Sequence, residues 1–222
     1  MVIAKPAAII LLAYLIGSIP FGVIVARRMS GLDPRNYGSG KMGGTNVMRL
    51  LGAKVGVLVI ALDVAKASVA VLLAAAIFGG TVASVGVFYM HRQIAELIAA
   101  LAVISGHNWP IFLKFRGGRG VATFFGGLVA LCPPAAIFGG EALFISAGLT
   151  RYVSLGSIVG VVGTYAILVP LWLFSDFPIE YLIYSFVGGL TIIIMHRDNI
   201  SRLMSGRERK LGEKLPVTDS VR

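Results

Sequence analysis

Long apolar runs constrain this chain more than any other feature, because about 17–25 apolar residues can cross the hydrocarbon core of a bilayer. Only 14% of the residues are charged, against about 25% in an ordinary soluble domain. The sequence therefore predicts an all-α integral membrane protein with seven transmembrane helices. The seven candidate spans are 3–26, 55–78, 94–113, 121–132 with a short extension to either side, 134–149, 155–174 and 179–195.

The number of spans depends on the sequence Cys132-Pro133-Pro134, where proline removes a backbone donor and breaks a helix. We read it as a tight turn between two helices, whereas a single kinked helix would leave six spans. Lysine and arginine distinguish these topologies, because they collect in cytoplasmic loops. Seven spans place 17 of the 20 basic residues on one side, and six would scatter them over both. We therefore expect the N-terminus outside and the C-terminus in the cytoplasm.

The net charge of +10 is explained by this topology and by anionic lipid headgroups, so no nucleic-acid partner is expected. The single Cys132 cannot form a disulfide within the chain, and three widely spaced histidines form no metal-site pattern. We expect neither a metal nor a cofactor. Residues 1–205 are predicted to form one membrane domain. Residues 206–222 are charged, lack apolar periodicity and are predicted to form a flexible basic cytoplasmic tail.

Four polar stretches fall on the same predicted side: 38–46, 115–120, 151–157 and 196–199. The first is rich in glycine, and successive backbone N–H groups in such turns form anion-binding nests. In the second, two arginines flank a diglycine where a helix begins, and a helix N-terminus can hold a phosphate that arginine grips. A face with so many anion-binding groups predicts a site for phosphorylated substrates at the bilayer surface.

Structural alternatives exist for each of these features. The first loop could be a plain glycine linker and the second a positive-inside anchor, but interleaved glycines favour binding. His196 and Asn199 share a helix face if the last span continues, which favours a site over an isolated capping histidine. Asp63 and Lys66 lie deep in the second span, where ionised groups cost about 2.5–3.5 kcal/mol each unless paired. They either pair with each other or line a polar cavity.

Together these motifs resemble the bacterial acyl-phosphate glycerol-3-phosphate acyltransferases, the PlsY family. The resemblance runs from Gly17-Ser18-Ile19-Pro20-Phe21-Gly22 to residues 202–208, nearly the whole chain. It implies transfer of a fatty acyl group from acyl phosphate to the 1-hydroxyl of glycerol 3-phosphate, giving lysophosphatidic acid and phosphate. It also implies a multi-pass protein of the bacterial inner membrane with a cytoplasmic active face. We expect a monomer that contacts membrane lipids.

The resemblance assigns ten of the expected site residues, and the patterns of the polar stretches add the others. The ten are Ser39, Arg49, Gly117, Gly118, Arg119, Gly120, Ser154, Ser157, His196 and Asn199. Those expected to act in the reaction are Ser39, Arg49, Arg119, Ser157, His196 and Asn199. Those expected to bind substrates are Gly40, Lys41, Gly43, Thr45, Asn46, His107, Arg116, Gly117, Gly118, Gly120, Ser154 and Arg202. The chain departs from the family pattern at Arg116 and Arg119, where lysine is usual, and at Lys41, where asparagine is usual. Such changes bear on phosphate affinity more than on reaction class.

Acyl phosphate is an activated mixed anhydride, so its transfer needs no serine or cysteine nucleophile when both substrates are well positioned. The resemblance implies a substrate-assisted reaction in which a phosphate oxygen accepts the hydroxyl proton. His196 as a general base is the competing mechanism.

Other functions fit the sequence less well. A transporter of phosphorylated small solutes is the main alternative, but only Asp63 and Lys66 lie deep enough to line its path. An acyl-coenzyme A transferase would typically carry an aspartate five residues after a histidine, and none of the three histidines has one. A scaffold without chemistry leaves the concentration of polar motifs on one face unexplained.

Overall fold

Helices make up nearly all of the computed structural model, which describes residues 4–78, 83–85 and 88–213. Short 3-10 turns at Pro34–Asn36 and Ile111–Leu113 follow the second and fifth α-helices. In chain order the α-helices are α1 (Ala4–Ser18), α2 (Phe21–Ser30), α3 (Gly44–Leu51), α4 (Ala53–Phe78), α5 (Arg92–Asn108), α6 (Val121–Leu131), α7 (Pro133–Thr150), α8 (Val153–Gly163), α9 (Tyr165–Phe174), α10 (Ile179–Met195) and α11 (Arg197–Met204).

A short hairpin stands between α4 and α5. Strands β1 (Ala83–Val85) and β2 (Phe88–Met90) pair antiparallel, with Ser84 opposite Tyr89. The all-α expectation holds apart from this hairpin. Because it joins the end of α4 to the start of α5, it lies at the opposite end of these helices from the glycine-rich loops.

Four stretches in the described residues can cross a membrane by length and composition: Pro6–Ser30, Ala53–Phe78, Arg92–Leu113 and Val153–Phe174. A fifth is added if α10 and α11, which meet at a bend of 60°, form one broken span. The predicted spans 121–132 and 134–149 correspond to α6, which has 11 residues, and α7, which has 18. The count of seven spans and the orientation of the termini stay predictions.

Proline sets two of the helix breaks. α1 ends at Ser18 and α2 begins at Phe21, because Pro20 has no N–H with which to continue the ladder. α6 ends at Leu131 and α7 begins with Pro133, so the helix break predicted around Cys132 is present.

Small residues let the helices approach backbone to backbone, as is common in membrane bundles. A Cβ at Gly17 of α1 would lie 2.3 Å from the carbonyl oxygen of Val103 of α5. A Cβ at Gly106 would lie 2.2 Å from the carbonyl oxygen of Tyr14. The contact between α1 and α5 therefore requires glycine at both positions.

The fully buried Tyr184 ties α10 to α6. Its hydroxyl donates to the carbonyl of Phe124 at 2.9 Å, and the two rings stack with centroids 5.4 Å apart. This contact holds α10, which continues to His196, against the start of α6, which follows Arg119.

Candidate active site

The first polar loop is held together by the side chain of Asn46, which is 2% exposed. Its Oδ1 accepts from the backbone N–H of Ser39 at 3.1 Å. Its Nδ2 donates to the carbonyls of Pro34, Tyr37 and Lys41 at 2.7, 3.1 and 2.9 Å. Because both ends of the amide are engaged, Asn46 holds the loop, and its contact with substrate stays a prediction.

Glycines shape the same loop where its backbone turns. Gly38 and Gly40 have φ values of +56° and +67°, in the left-handed region that favours glycine. Gly43 is the N-cap of α3, and a Cβ there would meet nothing within 4 Å. The side chains of Ser39 and Thr45 are half-buried beside it. The start of α3 is thus open to a ligand.

The second glycine loop, residues 117–120, packs on the C-terminal end of α5. The N–H of Gly118 donates to the carbonyl of His107 at 3.0 Å. A Cβ at Gly117 would lie 2.1 Å from the same oxygen. Gly120 has a φ of +84° and is the N-cap of α6. Arg119 therefore precedes the first turn of α6, as the sequence predicted.

Three buried polar atoms of the predicted site have no hydrogen-bond partner among the described residues: Nε of Arg49, Nε of Arg119 and Oδ1 of Asn199. A buried polar group without a partner costs about 1–3 kcal/mol. These atoms therefore fit a site that a ligand completes, with acceptor oxygens facing the two arginines and a hydroxyl facing the asparagine.

Burial also lowers the pKa of both arginines. It lowers the pKa of Arg119 to about 10, and the neighbouring charge of Arg202 acts in the same direction. Burial lowers the pKa of Arg49 as well. Both guanidinium groups stay charged at neutral pH, and their poor hydration favours an anionic partner.

The first turns of α8 supply the two predicted serines, and both are buried. Ser154 Oγ donates to Glu208 Oε1 at 3.1 Å, and Ser157 Oγ donates to the carbonyl of Val153 at 2.8 Å. Each hydroxyl is thereby left as an acceptor. Within the described residues neither is hydrogen-bonded to a histidine that could activate it as a nucleophile.

His196 lies at the bend between α10 and α11. Its Nδ1 is 2.8 Å from the carbonyl oxygen of Ile192, which can only accept, so Nδ1 carries the proton and Nε2 is an acceptor. Burial lowers the pKa of His196 to about 4. The imidazole is therefore neutral at pH 7, with Nε2 available to a donor.

Glu208, which the sequence analysis did not select, joins three of the predicted residues. Its Oε1 accepts from Ser154 Oγ and from Asn199 Nδ2 at 2.7 Å, and its Oε2 accepts from Arg202 Nε at 2.7 Å. Its side chain is only 4% exposed. The available signal was its place at the end of the 202–208 stretch, two residues after Gly206, whose φ is +68°.

The segment after Gly206 continues across the same face. The N–H of Leu211 donates to the carbonyl of Arg151 at 2.7 Å, and Nη2 of Arg151 donates to the carbonyl of Leu211 at 2.9 Å. Nη2 of Arg49 donates to the carbonyl of Arg209 at 3.4 Å. The predicted flexible tail thus begins with residues that contact the site, and residues 214–222 lie outside the described residues.

Other predicted residues divide between the cluster and its surroundings. Lys41 is half-buried, and burial lowers its pKa, with the charge of Arg119 acting in the same direction. Arg116 is exposed, and its backbone N–H donates to the carbonyl of Leu113 at 3.2 Å. His107 lies beneath the glycine loop, with Nδ1 3.1 Å from Lys66 Nζ, and its contact with substrate stays a prediction. The residues brought together around Glu208 are Arg49, Arg119, Ser154, His196, Asn199 and Arg202.

A family model described as glycerol-3-phosphate acyltransferase matches residues 7–206. The chain belongs to the glycerol-3-phosphate acyltransferase family. It is 56% identical to glycerol-3-phosphate acyltransferase 3 of Dehalococcoides mccartyi (strain CBDB1), over 96% of this chain and 99% of the relative. It is 42% identical to glycerol-3-phosphate acyltransferase of Thermoanaerobacter sp. (strain X514), over 93% and 96%. The family predicted from the motifs is thus confirmed.

Two solved structures of a family member are similar to this chain. One is the crystal structure of PlsY (YgiH), an integral membrane glycerol 3-phosphate acyltransferase, in its glycerol 3-phosphate form. It has a TM-score of 0.80 and 37% identity, covering 93% of this chain and 96% of that chain. The lysophosphatidic acid form has a TM-score of 0.77 and 35% identity, covering 93% and 95%. Together with its apolar helices, this likeness makes the chain an integral membrane member of the family.

Proposed function

We propose that this protein transfers a fatty acyl group from acyl phosphate to the 1-hydroxyl of glycerol 3-phosphate, forming lysophosphatidic acid and phosphate. The observation that carries the proposal is the group of buried atoms without partners on Arg49, Arg119 and Asn199. Both substrates carry a phosphate, and glycerol 3-phosphate also carries the hydroxyl that such a site would hold. Relatives at 56% and 42% identity are named for this acyl acceptor.

The reaction would take place at the cytoplasmic face of the bacterial inner membrane, by a monomer. Support for the orientation comes from the lysines and arginines, of which 17 of 20 fall on the side of the glycine loops in the seven-span topology. An acyl chain could remain among lipid tails and apolar helices while its phosphate reaches the arginines.

The proposed mechanism needs no acyl-enzyme. The hydroxyl oxygen of glycerol 3-phosphate attacks the carbonyl carbon of acyl phosphate, and the bond from that carbon to the bridging oxygen breaks. The electron pair of that bond leaves with the phosphate, and a phosphate oxygen accepts the hydroxyl proton. Positioning alone can supply about 7–11 kcal/mol to such a reaction. Arg49 and Arg119 would hold the phosphates and balance the charge that develops on the leaving group.

Two nucleophilic side chains, those of Cys132 and Ser157, are placed in a way that favours this direct route. Cys132 is 2% exposed and follows the C-terminal end of α6, so the length of that helix, about 16 Å at 1.5 Å per residue, separates it from the loop that holds Arg119. Ser157 donates its proton to a backbone carbonyl. Neither thiol nor hydroxyl is arranged as an activated nucleophile.

The first experiment supplies the purified protein, in detergent or lipid, with palmitoyl phosphate and glycerol 3-phosphate. No metal and no coenzyme A are added. We expect lysophosphatidic acid and phosphate in equal amounts, and no product when palmitoyl-coenzyme A replaces palmitoyl phosphate. Product from palmitoyl-coenzyme A alone would contradict the proposed donor. Binding of glycerol 3-phosphate without product from either donor would instead favour transport, which liposome uptake would measure.

His196→Gln is expected to keep measurable turnover and an unchanged pH dependence between pH 5 and 8. With a pKa of about 4, His196 is already neutral throughout that range and can orient the attacking hydroxyl as an acceptor. Phosphate monoesters gain a proton as the pH falls through about 6, so activity should fall there in both proteins. Rates measured from pH 5 to 8 test this. If His196 were the general base, the variant would lose about 100-fold or more in rate and the shape of the profile would change.

No specific observation favours the transporter. The deep charges of Asp63 and Lys66 contact each other at 2.8 Å and are almost completely buried, so they contribute no open polar path.

A further inference from the structure

Beneath the second glycine loop lies a buried chain of polar groups that the proposed reaction does not use. Lys66 Nζ lies 2.8 Å from Asp63 Oδ1, 3.1 Å from His107 Nδ1 and 2.9 Å from the carbonyl oxygen of Ile19. The side chains of Asp63, Lys66 and His107 are 1%, 2% and 3% exposed. Of the two alternatives open from the sequence, Asp63 and Lys66 pair with each other, and α5 adds a third member.

Lys66 links three separate parts of the fold. Ile19 lies in the break between α1 and α2, and the Phe21 ring lies 5.7 Å from the Lys66 ammonium in a cation–π contact. The carbonyl of Ile19 and the imidazole nitrogen of His107 lie within hydrogen-bond distance of the ammonium, and the Asp63 carboxylate balances its charge. This gives a role to Ile19 and Phe21 of the Gly17-Ser18-Ile19-Pro20-Phe21-Gly22 stretch, which the proposed reaction does not use.

The Nε2 edge of the His107 ring packs against Gly118 of the glycine loop. A Cβ at Gly118 would lie 1.9 Å from His107 Nε2, and the N–H of Gly118 donates to the His107 carbonyl at 3.0 Å. No side chain larger than hydrogen fits at this position while the imidazole is in place. Arg119 is the next residue, so the position of Gly118 sets where the guanidinium begins.

We propose that His107 is a positioning residue that fixes Gly118, and through it Arg119, while Lys66 and Asp63 hold the imidazole. The requirement for glycine at 118 then comes from His107 and not from the phosphate. The proposal rests on the proposed function, since it assigns Arg119 to substrate phosphate. A misplacement of about 1 Å can cost about 100-fold in rate, so such support has a measurable effect.

A double-mutant cycle on the purified full chain tests this. His107→Asn keeps an oxygen near Nδ1 that can accept from Lys66 and removes the Nε2 edge that meets Gly118. Gly118→Ala in the wild-type background is expected to raise the KM for glycerol 3-phosphate at least about tenfold, because residues in contact are strongly coupled. In the His107→Asn background the same change should raise it less than about twofold. The rise in thermal unfolding midpoint on adding glycerol 3-phosphate provides a second readout that needs no turnover.

Gly117→Ala is the matched control. Its Cβ would meet the His107 carbonyl oxygen at 2.1 Å and Pro110 Cδ at 2.4 Å, and both atoms stay in place in His107→Asn. Gly117→Ala should therefore raise the KM for glycerol 3-phosphate by the same factor in the wild-type and His107→Asn backgrounds. Gly148→Ala, where a Cβ meets nothing within 4 Å, controls for the substitution itself.

Two results would overturn the proposal. One is an equal rise in KM on Gly118→Ala in both backgrounds, and the other is a His107→Asn protein whose KM and thermal shift equal those of the wild type. Absence of turnover in the wild-type protein would contradict the proposed function instead. The thermal-shift cycle would then still report on the contact between His107 and Gly118.

Discussion

Replacing Arg119 by alanine is expected to lower kcat/KM for glycerol 3-phosphate at least about 100-fold, as for other groups that stabilise transition-state charge. The guanidinium is mostly buried, keeps its charge with a pKa of about 10, and has an Nε atom without a partner among the described residues. The Nε atom is thus free to bind a ligand. Alanine removes both the charge and the planar guanidinium group, which can form two parallel hydrogen bonds to a phosphate. Steady-state rates in detergent, with palmitoyl phosphate as donor, measure the loss.

Two further substitutions in the same loop test whether Arg119 acts by position. Arg116→Ala removes an equal charge from an exposed site and should change kcat/KM less than about threefold, as expected for a surface substitution. Arg119→Lys keeps the charge but loses the fork, and should retain more activity than alanine. Equal losses for Arg116→Ala and Arg119→Ala would mean that the loop acts only through its total charge, as a positive-inside anchor does.

Glu208→Ala is expected to destabilise the protein by about 1–3 kcal/mol, because the buried donors of Ser154 and Asn199 lose their acceptor. The carboxylate accepts hydrogen bonds from Ser154, Asn199 and Arg202, and its side chain is 4% exposed. We also expect a large loss of activity, since α8 and α11 lose their common anchor. The thermal unfolding midpoint of the purified protein and its turnover measure the two effects.

Glu213→Ala is the control for this change, since Glu213 is an exposed glutamate of the same segment. It should leave both the midpoint and the turnover near their wild-type values. Glu208→Gln keeps the shape but removes the charge facing Arg202, and should lie between wild type and alanine. A Glu208→Ala protein with unchanged midpoint and turnover would show that the tail is not part of the site.

Much of the candidate site could be predicted from residue type and spacing. Arg119 stands where a helix begins after glycines, and that local pattern suffices to place an anion-binding group at a helix N-terminus. Asn46 and His107 were expected to bind substrate for a similar reason, because both are polar and close to glycine loops. In the structure the side chains of both residues contact other parts of the protein. Whether a polar side chain faces a ligand or supports a loop depends on residues distant in sequence, such as Lys66 for His107.

The sequence by itself determined that this chain is a helical membrane protein of the glycerol-3-phosphate acyltransferase family. Hydropathy and proline breaks are local properties, and in lipid a long apolar segment must satisfy its own backbone as a helix. Only the tertiary structure decided that Glu208 joins Ser154 to Asn199 and Arg202, and that Lys66 joins Asp63 to His107. These contacts bridge as many as 54 residues of sequence. Hydrogen bonds and ion pairs are stronger in the buried interior than in water. Which polar groups become buried together depends on the packing of the helices, and no local sequence pattern specifies that packing.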